Sequence, residues 1–328
     1  MPTAAARKSW QRGAGFLGSR HAILGGAMSW LSEHNLVAAI SEAGGFGVVA
    51  SGSMPPEALR REIALTREMT RQPFGVNLIT LNPELMALVR VVVEEKVSHC
   101  VLAGGLPDQA TIEALKEGGV KVILFAPSPA LAKRLVRRGA DALVIEGHEA
   151  GGHVGPVATA VLVQEILHQV EEVPVFVAGG IANGRMVAAM ADLGACGCQV
   201  GTLFVCTHEC VAHANFKQAF IRAQSRDAVV TVQFDPSLPV IPVRALANKG
   251  TEAYNRLQLE LVRQVKEKVK SREEAQLELE RFWVGALRRA AIEGDVEFGS
   301  VMAGQSVGLV RSERSVMAVM NDLVRDMI

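Results

Sequence analysis

The stretch IEGHEAGGHVG, Ile145 to Gly155, sets two carboxylates and two imidazoles among four glycines. Three chemistries could use it: a metal site, an acid/base loop beneath a ligand, or a flexible turn whose polarity is incidental. An imidazole ionises near ~6.5 and so trades protons close to neutrality. His148 and His153 are five apart in a glycine-rich segment. They therefore do not share a helical face, as the two histidines of the HExxH zinc arrangement do, and no metal is expected. His153 follows Gly151 and Gly152, which let the chain turn back on itself, and it is the candidate catalytic residue. A lone loop histidine is more often a surface residue, but a ligand-like face adjoins this one. His148 is the lesser candidate, and Glu149 reads as structural or solvent-facing. Glu146 ends an apolar run and reads as a ligand contact, with a rim salt bridge as its bland alternative.

Such a loop needs a scaffold. From residue 21 to about 210, short apolar runs alternate with amphipathic helical patterns: HAILGG, FGVVAS, FGVNLI, HCVLAG, VKVILFA, DALVIEG, VPVFVAGG and CGCQVGT. Runs that are apolar throughout suit parallel strands covered on both faces. Eight of them, each followed by a helix, predict a (β/α)8 TIM barrel with a smaller C-terminal helical cap. Gly118, Gly119, Gly139 and Gly194 precede strands and suit left-handed helix C-caps. The expected divisions are an N-terminal extension over 1–20, the barrel over 21–222, a helical cap over 223–298, and a glycine-rich segment with a terminal helix over 299–328. The cap region reads as a loop followed by long charged helices.

Barrel chemistry gathers where strands end. Here those ends read Gly25-Gly26-Ala27-Met28, Asn77, Gly104-Gly105, Glu146 to His153, Ala178-Gly179-Gly180 and Gly201-Thr202. Glycine turns after strands seven and eight are a pairing that barrels use to hold a phosphate on bare backbone N–H groups. Asn77 could bond the edge of a heterocycle, or simply cap a turn. Met28, Ser29 and Trp30 could wall a planar ring, or simply pack. A phosphorylated planar cofactor fits, and flavin mononucleotide (FMN) needs only one phosphate and no second nucleotide fold.

Composition bounds the partners. Lysine plus arginine equal aspartate plus glutamate at 34 each, so no global field favours nucleic acid or acidic membranes. Five cysteines are an odd number at poor zinc spacing, and they read as reduced thiols in a cytoplasmic protein. The basic, alanine-rich start lacks the apolar stretch of a secretory signal and reads as a frayed end. No apolar run approaches the ~20 residues of a membrane span.

The ordered set GGAMSW, SEAGGFGVVASG, PFGVNLI, EGHEAGGHVG, VFVAGGIANGRMVAAMADLGACGCQVGT and GDVEFGSVMAGQSVGLV resembles the FMN-dependent family of nitronate monooxygenases (formerly 2-nitropropane dioxygenases) and enoyl-acyl-carrier-protein reductases II. The resemblance runs from about residue 21 to the C-terminus. It implies an FMN-binding barrel with His153 as the active-site residue. It also implies cofactor contacts at Gly26, Ala27, Met28, Asn77, Glu146, Gly151, Gly152, Ala178, Gly179, Gly180, Gly201 and Thr202. Gly25 stands where the family commonly has glutamine, and VLAGGLPDQ stands where the reductases often have Thr-Thr-Gly-Ala-Gly. EAGGHVG and GSVMAGQSVGLV look more like the reductase branch.

The first expectation is oxidation of a small-molecule nitronate by oxygen to a carbonyl compound and nitrite. The alternatives are enoyl-acyl-carrier-protein reduction with NAD(P)H as co-substrate, a quinone-type reductase, and a flavin-binding barrel without turnover. The partner is then a nitronate or an acyl-carrier-protein thioester, and a homodimer is compatible with the family.

Overall fold

The computed structural model describes residues 2–327. Eight parallel strands appear where the apolar runs predict them: β1 (Ile23–Gly25), β2 (Gly47–Ala50), β3 (Phe74–Ile79), β4 (His99–Ala103), β5 (Lys121–Phe125), β6 (Ala142–Glu146), β7 (Val175–Ala178) and β8 (Gly197–Val200). They pair in chain order from β2 to β8, and β8 pairs with β1. Between β1 and β2 the Gly25 N–H donates to Phe46 O at 2.9 Å and the Phe46 N–H to Ile23 O at 2.8 Å, which closes the ring. The fold is a (β/α)8 barrel. Its strands are buried on both faces, as their unbroken apolar character requires. Gly119, Gly139 and Gly194 adopt the left-handed conformation expected of helix ends, whereas Gly118 has φ −75° and leaves that role to its neighbour.

The N-terminal segment is not frayed. Residues Ala4–Leu17 form a helix capped by Thr3, and Ala6, Trp10, Gly13 and Leu17 are buried against the barrel floor. Its last turn is used as an acceptor: Phe16 O receives hydrogen bonds from His99 Nε2 and Lys121 Nζ, both at 2.9 Å. His99 is enclosed between the rings of Phe16 and Phe46 at centroid distances of 5.0 and 4.8 Å. Burial pushes its pKa down to about 4.

The cap is more than helices. Strands Val243–Leu246 and Ala228–Val230 form an antiparallel ladder, and the Gly152–His153 segment adds to it as a third strand. Sequence reading takes Val243–Leu246 as loop and assigns Ala228–Val230 to no element, because each strand is short. The helices Lys249–Lys266 and Arg272–Ala291 start on capping boxes at Asn248 and Ser271. They share a separate small core of Leu238, Val243, Tyr254, Leu261, Val262, Ala275, Leu279 and Trp283. Tyr254 and Trp283 lie with ring centroids 4.2 Å apart at its centre. No helix among the described residues is long and apolar enough to cross a membrane.

His99 gives the floor a pH dependence with a definite sign. A histidine whose folded pKa lies below its unfolded value supports the fold fully above pH 6.5, and that support is lost as pH falls toward 4. Denaturant unfolding should therefore show a loss of up to about 3 kcal/mol between pH 7 and pH 4, given about 1.36 kcal/mol per unit of pKa difference. In His99→Asn that part of the pH slope should disappear.

Candidate functional site

Strand β6 ends in Glu146, whose side chain lies at the barrel mouth and makes no hydrogen bond or ion pair among the described residues. It is half-buried, and desolvation pushes the carboxyl pKa up to about 8. The next residues anchor the loop. The Gly147 N–H donates to Ala178 O at 3.0 Å. The Glu149 carboxylate accepts from Thr159 N at 2.9 Å and from Thr159 Oγ1 at 2.8 Å, so it caps the helix Thr159–Ile166. His148 Nδ1 meets Gly155 O at 2.8 Å, and His148 O accepts from Arg244 Nη2 at 3.0 Å. Glu149 and His148 are thus both occupied in holding the loop.

Glycine is required at two close approaches. Gly179 has φ +94°, and a Cβ there would lie 2.9 Å from both Gly147 O and Thr159 Oγ1. A Cβ on Gly151 would lie 2.5 Å from the Gly304 N and 2.6 Å from the Ala303 carbonyl carbon. The C-terminal segment therefore packs its main chain directly on the histidine loop. The Gly304 N–H also donates to Thr202 Oγ1 at 3.2 Å, and the Gln305 N–H to Glu149 O at 2.9 Å.

The predicted phosphate turns sit side by side, since β7 pairs with β8. Among the described residues the backbone N–H groups of Gly179, Gly180, Gly201 and Thr202 donate to no acceptor in the protein. A cleft of about 500 Å³ opens beside Gly179 and Gly180, lined by Thr159, Arg226, Gln305 and Ser306. The Gly26 N–H is spent on Val200 O at 2.9 Å, and the Met28 N–H on Ser32 Oγ at 2.9 Å. These two residues can therefore offer a ligand only their surfaces. Ala27 and Met28 are partly buried against the core, and Ala178 is buried at the end of β7. Asn77 is buried, and its Nδ2 donates across to Val101 O at 3.2 Å, which leaves Oδ1 without a donor among the described residues.

His153 departs from the expected picture. It lies in the cap ladder opposite Val243 rather than free in a loop, its side chain is 45% exposed, and its Nε2 lies 3.3 Å from Glu280 Oε2 on the cap helix Arg272–Ala291. His148 and His153 do not converge on a common point. Trp30, in the left-handed conformation at φ 68°, donates from Nε1 to Val284 O at 3.3 Å on the same cap helix. The Arg288 guanidinium lies 5.7 Å above the Trp30 ring. Glu280, Arg244, Thr159, Gly304 and this role of Trp30 are absent from the sequence reading. Only Thr159 carries a local signal there, since it heads an apolar helical run. A further grouping, Glu33, His34 and Glu62, places His34 Nδ1 2.8 Å from Glu33 Oε2 at the start of the helix after β1 and 2.9 Å from Glu62 Oε2 on the helix after β2.

Comparison with known proteins follows the same geometry. A family model described as nitronate monooxygenase matches residues 12–89 and 85–326. The chain belongs to the nitronate monooxygenase family. Members of this oxidoreductase family differ in their names. A probable nitronate monooxygenase of Staphylococcus aureus (strain JH9) is 31% identical over 68% of this chain and 75% of its own. A 5-hydroxy-7a-methyl-1-oxo-octahydro-1H-indene-4-carboxyl-CoA dehydrogenase of Rhodococcus jostii (strain RHA1) is 34% identical over 67% of this chain. The match spans only 62% of that relative's length. Among solved structures, FabK from Thermotoga maritima is 40% identical over 96% of this chain and 95% of its own, with a TM-score of 0.85. Nitroalkane oxidase from Streptomyces ansochromogenes, at 23% identity and a TM-score of 0.79, shares the fold.

The desolvated carboxyl of Glu146 makes a testable demand on this site. Below pH 4.5 it is protonated in the folded and the unfolded chain alike. Between 4.5 and about 8 only the unfolded chain ionises it freely, so the folded state loses stability as pH rises through that window. Glu146→Gln removes the penalty. In flavin-free protein the variant should melt about 1.5 °C above wild type at pH 8 for each ~1 kcal/mol of penalty removed, given the melting entropy of a chain of this size. At pH 4.5 the two should coincide, as followed by differential scanning calorimetry.

Proposed function

We propose that this chain is an FMN-dependent oxidoreductase that reduces enoyl thioesters with electrons from NAD(P)H, with nitronate oxidation as the second reading. The observation that carries the flavin is the set of four unspent N–H groups, on Gly179, Gly180, Gly201 and Thr202, at two paired strand ends. Unpaired amides at adjacent turns, one leading into a helix, suit a phosphate group. The partnerless carboxyl of Glu146 on the same mouth suits a ligand hydroxyl, and Asn77 Oδ1 suits a ring N–H. Those residues would hold the cofactor, with Ala27 and Met28 against its face and Gly151 and Gly152 giving the loop its close path. Bound there, the flavin would supply a centre that takes up and passes on a hydride.

The rest falls to the protein. The cap, tied down through Trp30, shields one side of the mouth from water. Burial keeps Glu146 largely protonated near neutrality, so it can donate to a ligand oxygen as well as accept. His153, carried on the cap ladder, would take up a second proton from solvent and, as the charged imidazolium, supply it to the carbon left electron-rich by hydride addition.

Support for a thioester substrate is the 40% identity to FabK over nearly the whole of both chains, together with a Rhodococcus relative named for a carboxyl-CoA substrate. The second reading, first in the sequence analysis, is favoured by the family's description and by the Staphylococcus relatives. Under it, His153 would hold the anionic nitronate or take the proton from a nitroalkane.

Anaerobic stopped-flow mixing separates the two readings. Rapid bleaching of the yellow protein by NADPH, followed by recovery of colour on adding a crotonyl thioester, is expected. Bleaching by an alkyl nitronate and none by NADPH would refute thioester reduction. His153→Ala should lower turnover by about 100-fold or more, the usual span for losing a positioned acid or base. Wild-type turnover in that variant with either substrate class would refute a catalytic role for His153.

A further inference from the structure

We infer that Glu280 is the positioning residue of His153, holding the proton of the neutral imidazole on Nε2, so that Nδ1 is the nitrogen that takes a proton from solvent and passes it to substrate, the ring being charged in between. The inference rests on the catalytic reading of His153 given above.

The chemistry begins with what each group can do. A neutral imidazole has one donor and one acceptor nitrogen, and an ionised carboxylate only accepts. With Nε2 3.3 Å from Glu280 Oε2, the nitrogen facing the carboxylate must carry the proton, since otherwise a lone pair would face a negative oxygen. Among the described residues the His153 ring makes no other hydrogen bond or ion pair, so no rival group fixes its tautomer. The separation is a charge contact rather than an aligned hydrogen bond. Contacts of this kind often tighten only when an active site fills.

An exposed pair of this type adds little to stability, typically under about 1 kcal/mol. Its value here is geometric, because both backbones are moored to one rigid body. His153 pairs with Val243 in the cap ladder, and the adjacent Val154 N–H donates to Pro242 O at 2.9 Å. Val243 is part of the cap core. Glu280 follows Leu279 and precedes Trp283 by less than one helical turn, and both of those side chains are buried in the same core. The cap therefore holds the backbones of both members of the pair. A carboxylate behind a histidine in this way selects which ring nitrogen is free to act.

The test uses the full, flavin-loaded chain with 15N-labelled histidine, read by two-bond 1H–15N correlation at a pH where His153 is neutral and assigned with His153→Asn. Wild type should show the Nε2–H tautomer at His153. Glu280→Leu should show an averaged mixture, and Glu280→Gln, which keeps an acceptor oxygen, should restore the wild-type pattern. In turnover, Glu280→Leu should lower kcat between about 10- and 100-fold, as small misplacements of a reacting group do, with KM little changed. Glu280→Gln should recover most of that loss. An unchanged tautomer in Glu280→Leu overturns the inference whatever the kinetics. Full activity in His153→Ala overturns the catalytic reading instead, so the two failures are distinguishable.

Discussion

Main chain packed on main chain at the barrel mouth is the constraint from which the site follows. The carbonyl of Gly147 occupies the space where Gly179 would carry a Cβ, and the Gly304 amide does the same at Gly151. These contacts bring the ends of β6 and β7 and the C-terminal segment within hydrogen-bonding reach of one another. Thr159 and Glu149 then lock them with side-chain bonds. A larger residue at either glycine would part the loops and move the neighbouring amides. The high glycine content of the mouth is thus a packing requirement as much as a provision for ligands.

The two ends of the barrel treat buried polarity in opposite ways. At the floor, His99 is desolvated but satisfied on both ring nitrogens, through Ser98 Oγ and Phe16 O, each at 2.9 Å. At the mouth, the half-buried Glu146 carboxyl makes no hydrogen bond or ion pair among the described residues. A satisfied buried group rigidifies a fold, whereas an unsatisfied one costs free energy until something binds. The floor is finished as it stands, and under the proposed function a ligand would complete the mouth.

Much of this was legible in the sequence, because strands covered on both faces announce themselves as apolar runs of strand length. The eight runs named from the sequence contain all eight barrel strands. Short glycine turns after β7 and β8 were equally visible. What escaped were elements whose identity depends on partners far away in the chain. The cap strands Ala228–Val230 and Val243–Leu246 are three and four residues long, and the second completes its ladder on Gly152–His153, about 90 residues upstream in the numbering. The N-terminal helix is rich in small and basic residues with few large apolar ones, and its packing against the floor is invisible until the barrel exists. Glu280 sits in a charged stretch, QLELERFW, in which nothing local separates it from its solvent-facing neighbours.

The loop read at the outset as one chemical unit turns out to straddle a mechanical boundary. Its acid, Glu146, is the last residue of a barrel strand, whereas its base, His153, is woven into the sheet of the cap. The span between them includes three of the four glycines and is pinned at Gly147 and Gly151. Any tilt of the cap would therefore carry the imidazole with it while the carboxyl stayed with the barrel wall. The motif is a caliper with one jaw on the barrel wall and one on the cap, and its opening would register any change in the attitude of the cap.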